Sequence, residues 1–235
     1  MPKKMNKRLR TGLIVTLIIL VAAVSAFAIY VSDYYEADST ALALVQMEDV
    51  TITADYAVLS PDQPGSEALI FYPGGKVEFT AYLPLLEQVS ERTGLTVVLV
   101  RMPFNLAVFG INKADSIIEQ FPEITAWHIG GHSLGGAMAS QYAASSPDAV
   151  QSLILLGAYN YGKYPSQDTL TIYGSLEEDI AEQAAGSDYI TVIDGGNHAQ
   201  FGNYGEQAGD PQSEITRESQ QKQTVEAIEA FLDRP

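Results

Sequence analysis

The run Gly131-His132-Ser133-Leu134-Gly135-Gly136 sets a serine among small residues where an apolar strand, Ala126 to Gly130, gives way to an Ala-rich helical stretch, Ala137 to Ser146, that stops before Pro147. This context predicts a nucleophile elbow. Ser133 would sit in a tight turn with φ above zero, and Gly131 and Gly135 would be small because strand and helix pass close together. A serine hydroxyl is a weak nucleophile at neutral pH, so the site needs a base and an acid, in the chain order serine, acid, histidine. The chain has 3 histidines. His128 falls inside the strand and His132 in the elbow beside the nucleophile, facing away from it, which leaves His198. That residue stands in Gly195-Gly196-Asn197-His198-Ala199-Gln200-Phe201-Gly202, after the apolar strand Tyr189 to Ile193. Its place is the carboxyl end of a strand, where α/β sheets put their chemistry.

The acid should follow the strand Leu170 to Tyr173, where the loop offers Glu177, Glu178 and Asp179. Glu177 is the candidate and Asp179 the next. The two carboxylates not used would cap a helix beginning near Ile180. An acyl-transfer site also needs donors for an oxyanion. The amide of Leu134, directly after the nucleophile, is one by construction of the elbow. The second should come from Pro73-Gly74-Gly75-Lys76, after the strand Ala68 to Tyr72, with Gly75 as the candidate and Lys76 as the neighbouring alternative. This chemistry needs no cofactor and no metal.

These groups must be positioned by alternating strands and helices. Val50 to Leu59 reads as a first β region, Tyr82 to Arg92 as a helix, Thr96 to Val100 as a strand and Lys113 to Gln120 as a helix. After the elbow come strands at Ser152 to Leu156, Leu170 to Tyr173 and Tyr189 to Ile193. A helix at Ser219 to Leu232 closes the chain, with Val225, Ile228 and Leu232 on one face. The pattern predicts an α/β fold, a mostly parallel sheet covered by helices on both faces. Only 13 residues separate Leu156 from Leu170, too few for a helical cap, so the site should be open. Its walls would come from the apolar loop Met102 to Phe109, which would make the acyl or alcohol group of a substrate apolar; core packing would use the same residues.

The chain resembles an α/β-hydrolase from about Asp49 to Leu232. More narrowly it is similar to a group of small bacterial proteins, α/β-hydrolase fold 5, in four motifs taken in order. These are Tyr-Pro-Gly-Gly-Lys-Val at 72 to 77, Arg-Met-Pro-Phe-Asn-Leu-Ala at 101 to 107, the elbow, and Gly-Gly-Asn-His-Ala-Gln-Phe-Gly at 195 to 202. The resemblance implies a triad of Ser133, His198 and the Glu177 region, with carboxylester-type activity on a small-molecule ester. Members of the group carry aspartate where Glu177 stands. A transacylase using an envelope acceptor would share the triad, and a tethered binding protein would keep the fold without turnover.

Composition bounds the rest. Lys3, Lys4, Lys7, Arg8 and Arg10 precede an uncharged apolar run of 19 residues, Leu13 to Val31. Such a run can span a hydrocarbon core of roughly 30 Å at about 1.5 Å per residue. It exceeds the usual core of a signal peptide, which favours a signal anchor with its basic end in the cytoplasm over cleavage at Ala26-Phe27-Ala28. The expected organisation is a basic end at 1–10, a membrane helix at 11–32, a linker at 33–48 and one catalytic domain at 49–235, outside the cytoplasm. Of 13 basic residues five lie in the first ten positions, so the remaining eight face all 29 acidic residues, a net −21 that should avoid nucleic acid and anionic lipid. With 0 cysteines there is no disulfide, no thiolate metal site and no lipoprotein anchor.

Overall fold

The computed structural model describes residues 6–47, 49–184 and 187–234. Lys3 and Lys4 of the expected basic end lie outside them. The chain divides into two units, with the boundary after Tyr34. The first is a single helix, α1 (Lys7–Ser32), none of whose residues is buried. The side chain of Asn6 caps it by accepting from the Arg8 amide at 3.1 Å. Its most apolar window has a mean hydropathy of 2.8, so the helix is long and apolar enough to cross a membrane; an N-terminal signal sequence has the same character.

The second unit begins within the stretch expected as a linker. Tyr35 makes a parallel bridge to Val77, its amide donates to Lys76 O at 2.7 Å and its carbonyl accepts from Glu78 N at 2.9 Å. Asp38 caps α2 (Ser39–Leu44) by accepting from Ala41 N at 3.0 Å, and Ala41 is buried. The segment is also docked by its main chain, with Ala37 N donating to Glu78 Oε2 at 2.9 Å and Asp38 N to Asn203 O at 2.8 Å.

Then follow β1 (Val50–Ile52), β2 (Tyr56–Leu59), β3 (Glu67–Tyr72), α3 (Leu83–Thr93), β4 (Thr96–Val100), α4 (Lys113–Gln120), β5 (Ala126–His132), α5 (Leu134–Ser145), β6 (Ser152–Leu156), β7 (Thr169–Gly174), α6 (Glu178–Ala184), β8 (Tyr189–Ile193) and α7 (Arg217–Leu232). The eight strands form one sheet in the order β1-β2-β4-β3-β5-β6-β7-β8. β1 and β2 are antiparallel and β3 to β8 run parallel. This is the α/β-hydrolase arrangement, a mostly parallel sheet with helices on both faces.

The central strands read as unbroken apolar runs because both faces are covered. Side chains alternate across the sheet. Leu69, Phe71, Ile154, Leu156 and Ile172 pack with α3 and α7. Ala68, Ile70, Tyr72, Leu153 and Leu155 pack on the other side with α4 and α5. The chain order reverses between β3 and β5, which are neighbours although β4 is built between them. Loops leaving the carboxyl ends of β3 and β5 therefore diverge to opposite sides and open a crevice. Both the Pro73-Gly74-Gly75 loop and Ser133 fall there.

At the opposite, amino-terminal edge His128 bridges two strands and the start of a third. Its Nδ1 lies 2.7 Å from Ser152 Oγ and its Nε2 3.3 Å from a Glu67 oxygen. Burial pushes His128 below the ordinary histidine range, with Glu67 opposing it. The unfolded chain, titrating near ~6.5, therefore binds a proton more readily than the fold. The contribution of this group to stability is full above that pH and is lost as pH falls through the lower folded value. Full-length protein in detergent is expected to lose melting temperature between about pH 7 and 5, and His128→Gln to lose less over the same range. Parallel melting curves for both would show that His128 carries its charge within the fold.

Candidate active site

Ser133 has φ 52° and ψ −125°, between the end of β5 and the first residue of α5. An L-residue holds that conformation only when its surroundings leave no alternative. Here a Cβ on Gly131 would lie 2.7 Å from backbone atoms of Gly135, Gly136 and Tyr72, and a Cβ on Gly135 would collide with the carbonyls of Tyr72 and Pro73. Strand, turn and helix are packed backbone against backbone, as the two glycines of the sequence motif require. The Ser133 amide donates to Leu156 O at 3.0 Å, and its carbonyl starts α5 by accepting from Ala137 N at 3.0 Å. Ser133 Oγ makes no hydrogen bond among the described residues.

The sequence offered three carboxylates for one histidine. Glu177 is the one that reaches it: His198 Nδ1 and Glu177 Oε1 are 2.6 Å apart. Glu177 Oε2 accepts from the Gly174 amide at 2.8 Å, so both oxygens of this buried side chain have partners. A carboxylate accepts from Nδ1–H, which leaves the lone pair on Nε2 of His198 for a second partner. Glu178 and Asp179 lie instead in the first turn of α6, where carboxylates complement the helix dipole.

Gly157 links the strand beside the elbow to the Glu177–His198 pair. It follows Leu156, the acceptor of the Ser133 amide, and has φ +48°. A Cβ there would lie 2.8 Å from Glu177 Oε1 and 2.9 Å from His198 Nδ1. The pair thus lies directly over a main chain that has no side chain to displace it.

Two main-chain donors flank the elbow. Leu134 opens α5, and its amide is among those with no carbonyl to meet inside the helix. In the β3 loop the Gly74 amide donates to Tyr82 Oη at 3.0 Å and the Lys76 amide to Asn105 O at 2.7 Å. The Gly75 amide makes no hydrogen bond among the described residues. A Cβ on Gly75 would lie 2.8 Å from Leu134 Cδ2, so Gly75 packs against the Leu134 side chain. Asn105 and its neighbour Phe104 both have positive φ, 53° and 57°. The apolar loop expected as a wall is therefore a strained support for Lys76 as well. It divides in two: Met102, Leu106 and Ala107 are buried, while Phe104 is 54% and Phe109 53% exposed.

Several residues that hold the site were not singled out in the sequence. Asp210 accepts from the amides of His198 (3.1 Å) and Ala199 (2.8 Å) with its two oxygens. Gln220, fully buried on α7, accepts from Asn197 N at 3.0 Å and donates to Asn197 O at 2.7 Å. Gln221 donates to Asn203 Oδ1 at 2.9 Å. One signal was available: Gln221 and Thr224 occupy the helical face continued by Val225, Ile228 and Phe231, where apolar residues are expected. Leu232, assigned to that face from the sequence, is only partly buried. A cavity of about 730 Å³ opens on the His198 side, walled by Glu177, Glu178, Asp179, Gln207 and Asp210 among others; Ser133 is not on its wall.

His132 does not simply face away from the chemistry. It is buried, and its ring lies against that of His198 with centroids 4.4 Å apart. A serine–histidine contact of a different kind, Ser152 with His128, stands at the far edge of the sheet in extended strand backbone. It has neither the strained turn nor the helix N-terminus of Ser133.

A family model described as Alpha/beta hydrolase family matches residues 68–222, more than half of the chain. No curated protein matches the chain by sequence. Among solved structures, a thermostable esterase from Pseudomonas putida is 14% identical with a TM-score of 0.55, over 84% of this chain and 88% of that one. A thermophilic carboxylesterase cloned from a metagenomic library is 13% identical with a TM-score of 0.55, over 82% and 93%. The dienelactone hydrolase of Anabaena variabilis is 16% identical with a TM-score of 0.52, over 79% and 98%. At these identities the likeness is one of fold, and together with the matched family model and the elbow it establishes that the chain belongs to the α/β-hydrolase family.

Proposed function

We propose that the protein is a serine hydrolase of carboxylesterase type, acting on small-molecule esters outside the cytoplasm through an acyl-enzyme. The observation that carries this reading is the Glu177–His198 pair seated over Gly157, beside a serine in the strained turn of an elbow. Ser133 Oγ attacks the ester carbonyl while His198 Nε2 takes its proton. The C–O bond of the tetrahedral intermediate breaks, and the same proton leaves with the alcohol. Water, deprotonated by His198, then releases the acid and restores the serine. Glu177 holds the imidazole in the required tautomer, and the Gly75 and Leu134 amides receive the oxyanion. The exposed rings of Phe104 and Phe109, on the loop that supports Lys76, suit an apolar substituent. No step calls for a cofactor.

The test is covalent. Full-length protein in detergent is expected to react with a fluorophosphonate probe, to lose labelling in Ser133→Ala and in His198→Ala, and to keep it in Ser152→Ala. Folded protein that remains unlabelled, or labelling that disappears with Ser152, overturns the reading.

In this reading α1 is a retained signal anchor and the domain a single catalytic unit. N-terminal sequencing of protein taken from membranes is expected to begin at or next to Met1. A start after Ala28 would make the enzyme a released one.

Two substitutions probe the geometry. Glu177→Gln is expected to lower kcat by about 10³- to 10⁴-fold, because an amide no longer enforces the tautomer. Gly157→Ala combines a left-handed backbone with a Cβ beside the His198–Glu177 hydrogen bond, and should cost about 10²-fold in kcat while the protein stays folded. Both are read from kcat on a short-chain p-nitrophenyl ester, and activity within twofold of the parent would show that the pair does not act in turnover.

A further inference from the structure

Tyr82 stands at the entrance to α3 and is fully buried. Its hydroxyl oxygen accepts from the Gly74 amide at 3.0 Å and lies 2.8 Å from His132 Nδ1. A main-chain N–H can only donate, so the phenol proton remains available, and the imidazole nitrogen is the acceptor within its reach. His132 Nδ1 is therefore unprotonated, and the neutral ring carries its hydrogen on Nε2. That atom is buried and makes no well-formed hydrogen bond, although the His198 main chain lies close enough to favour a proton on the ring. A side chain kept only for packing gains nothing from two polar nitrogens, one of them unsatisfied. A Cβ on Gly74 would lie 2.6 Å from Tyr82 Oη and 2.8 Å from His132 Nδ1, so the loop main chain rests directly on this pair.

We propose that Tyr82 and His132 are positioning residues that join the oxyanion-binding loop to the general base, so that one hydroxyl sets the Pro73–Gly74 peptide, which leads into Gly75, and the ring against which His198 turns over. The inference rests on the assignment of Ser133, His198 and Gly75 made above. On one side, the hydrogen bond from the Gly74 amide fixes the Pro73–Gly74 peptide, and with it the Cα from which the next peptide carries Gly75 N–H; the carbonyl of that next peptide, Gly74 O, accepts from Val77 N at 3.3 Å. On the other, the imidazole of His132 meets that of His198 at 4.4 Å between centroids and a tilt of 42°. During turnover His198 becomes an imidazolium. A neutral aromatic ring alongside is compatible with that charge, and a second cation would oppose it.

The surroundings keep His132 neutral. Burial holds it well below the ordinary histidine range, and the neighbouring His198 lowers it further. Only the His198 main chain favours the charged form, and burial overrides it. Phe201 packs against the ring on the third side, and beyond the two direct neighbours the titratable groups nearby are Tyr204, its ring tilted against that of Tyr82, and Glu177, bonded to His198.

The test has one arm on the parent protein and one on variants. With only 3 histidines in the chain, ¹⁵N–¹H correlation spectra of full-length protein in detergent can report each tautomer. His132 is expected as the neutral Nε2–H form and unchanged from about pH 5 to 8, the range in which an ordinary imidazole titrates. A charged ring, or hydrogen on Nδ1, overturns the proposal without any variant. Tyr82→Phe removes one oxygen atom. It should lower kcat on a short-chain p-nitrophenyl ester about tenfold or more, a part of the 10²- to 10³-fold that loss of an oxyanion donor costs, with KM within about twofold. His132→Asn restores an acceptor for the phenol, whereas His132→Phe restores only the ring. Positioning predicts a higher kcat for the asparagine variant; mere packing predicts the reverse, and that order would overturn the proposal. If the parent neither takes up the fluorophosphonate nor hydrolyses the ester, the triad assignment fails instead. A parent that does both, with Tyr82→Phe at unchanged kcat, refutes the positioning role alone.

Discussion

The active-site end of this molecule depends on one steric constraint, the closeness of β3, β5 and α5 around Ser133. Gly131 and Gly135 let the main chain of the elbow press against the Tyr72 and Pro73 carbonyls. Residues with side chains at those points would force the helix away from the sheet. The left-handed turn at Ser133 is the geometric result, and it exposes a hydroxyl at the N-terminus of a helix. The same closeness presents the first amide of α5 beside the loop leaving β3. The proposed nucleophile and oxyanion donors thus share one cause: two neighbouring parallel strands whose loops diverge at the point where the chain order of the sheet reverses.

The histidine is held differently. Its loop has little regular structure, so its position comes from polar groups supplied by other elements. Asp210 takes the amides of His198 and Ala199, Gln220 grips both main-chain groups of Asn197, and Glu177 takes the ring. A buried glutamine with both ends bonded is stable in an apolar layer, since none of its polar atoms lacks a partner. α7 therefore serves two purposes, with Val225, Ile228 and Phe231 in the core and Gln220 and Gln221 under the His198 loop.

The Glu177 side chain is accommodated by the main chain. Gly174 donates to one carboxylate oxygen, and Gly157 clears the space that the pair occupies. The side chain reaches His198 because nothing projects from Gly157. The apolar loop after β4 also has more than one use. Its buried half completes the core beside α4, its exposed half carries the Phe104 and Phe109 rings, and its Asn105 carbonyl anchors Lys76.

Most of the architecture was legible in the sequence, because β-branched and aliphatic runs of strand length alternate with helical spacing. Thr96–Val100, Lys113–Gln120, Ser152–Leu156 and Tyr189–Ile193 lie where the pattern put them. Ser133 and His198 were legible for a local reason: an elbow and a Gly-rich strand end are written in consecutive residues. The choice among Glu177, Glu178 and Asp179 was not decided there, because adjacent carboxylates are distinguished only by the direction in which the turn sends each one. The docking of Tyr35 and α2, the grip of Asp210 and Gln220, the need for Gly157 and the contact of His132 with His198 were also hidden. Each joins residues far apart in the chain, with no periodicity to announce it. The sequence by itself determined the order of strands and helices, the turn that exposes the serine and the apolar helix ahead of the domain, since all follow from near neighbours. The fold alone decided which carboxylate meets His198 and which loop amides stay without an internal partner, because those depend on distances between loops that only the packed sheet brings together.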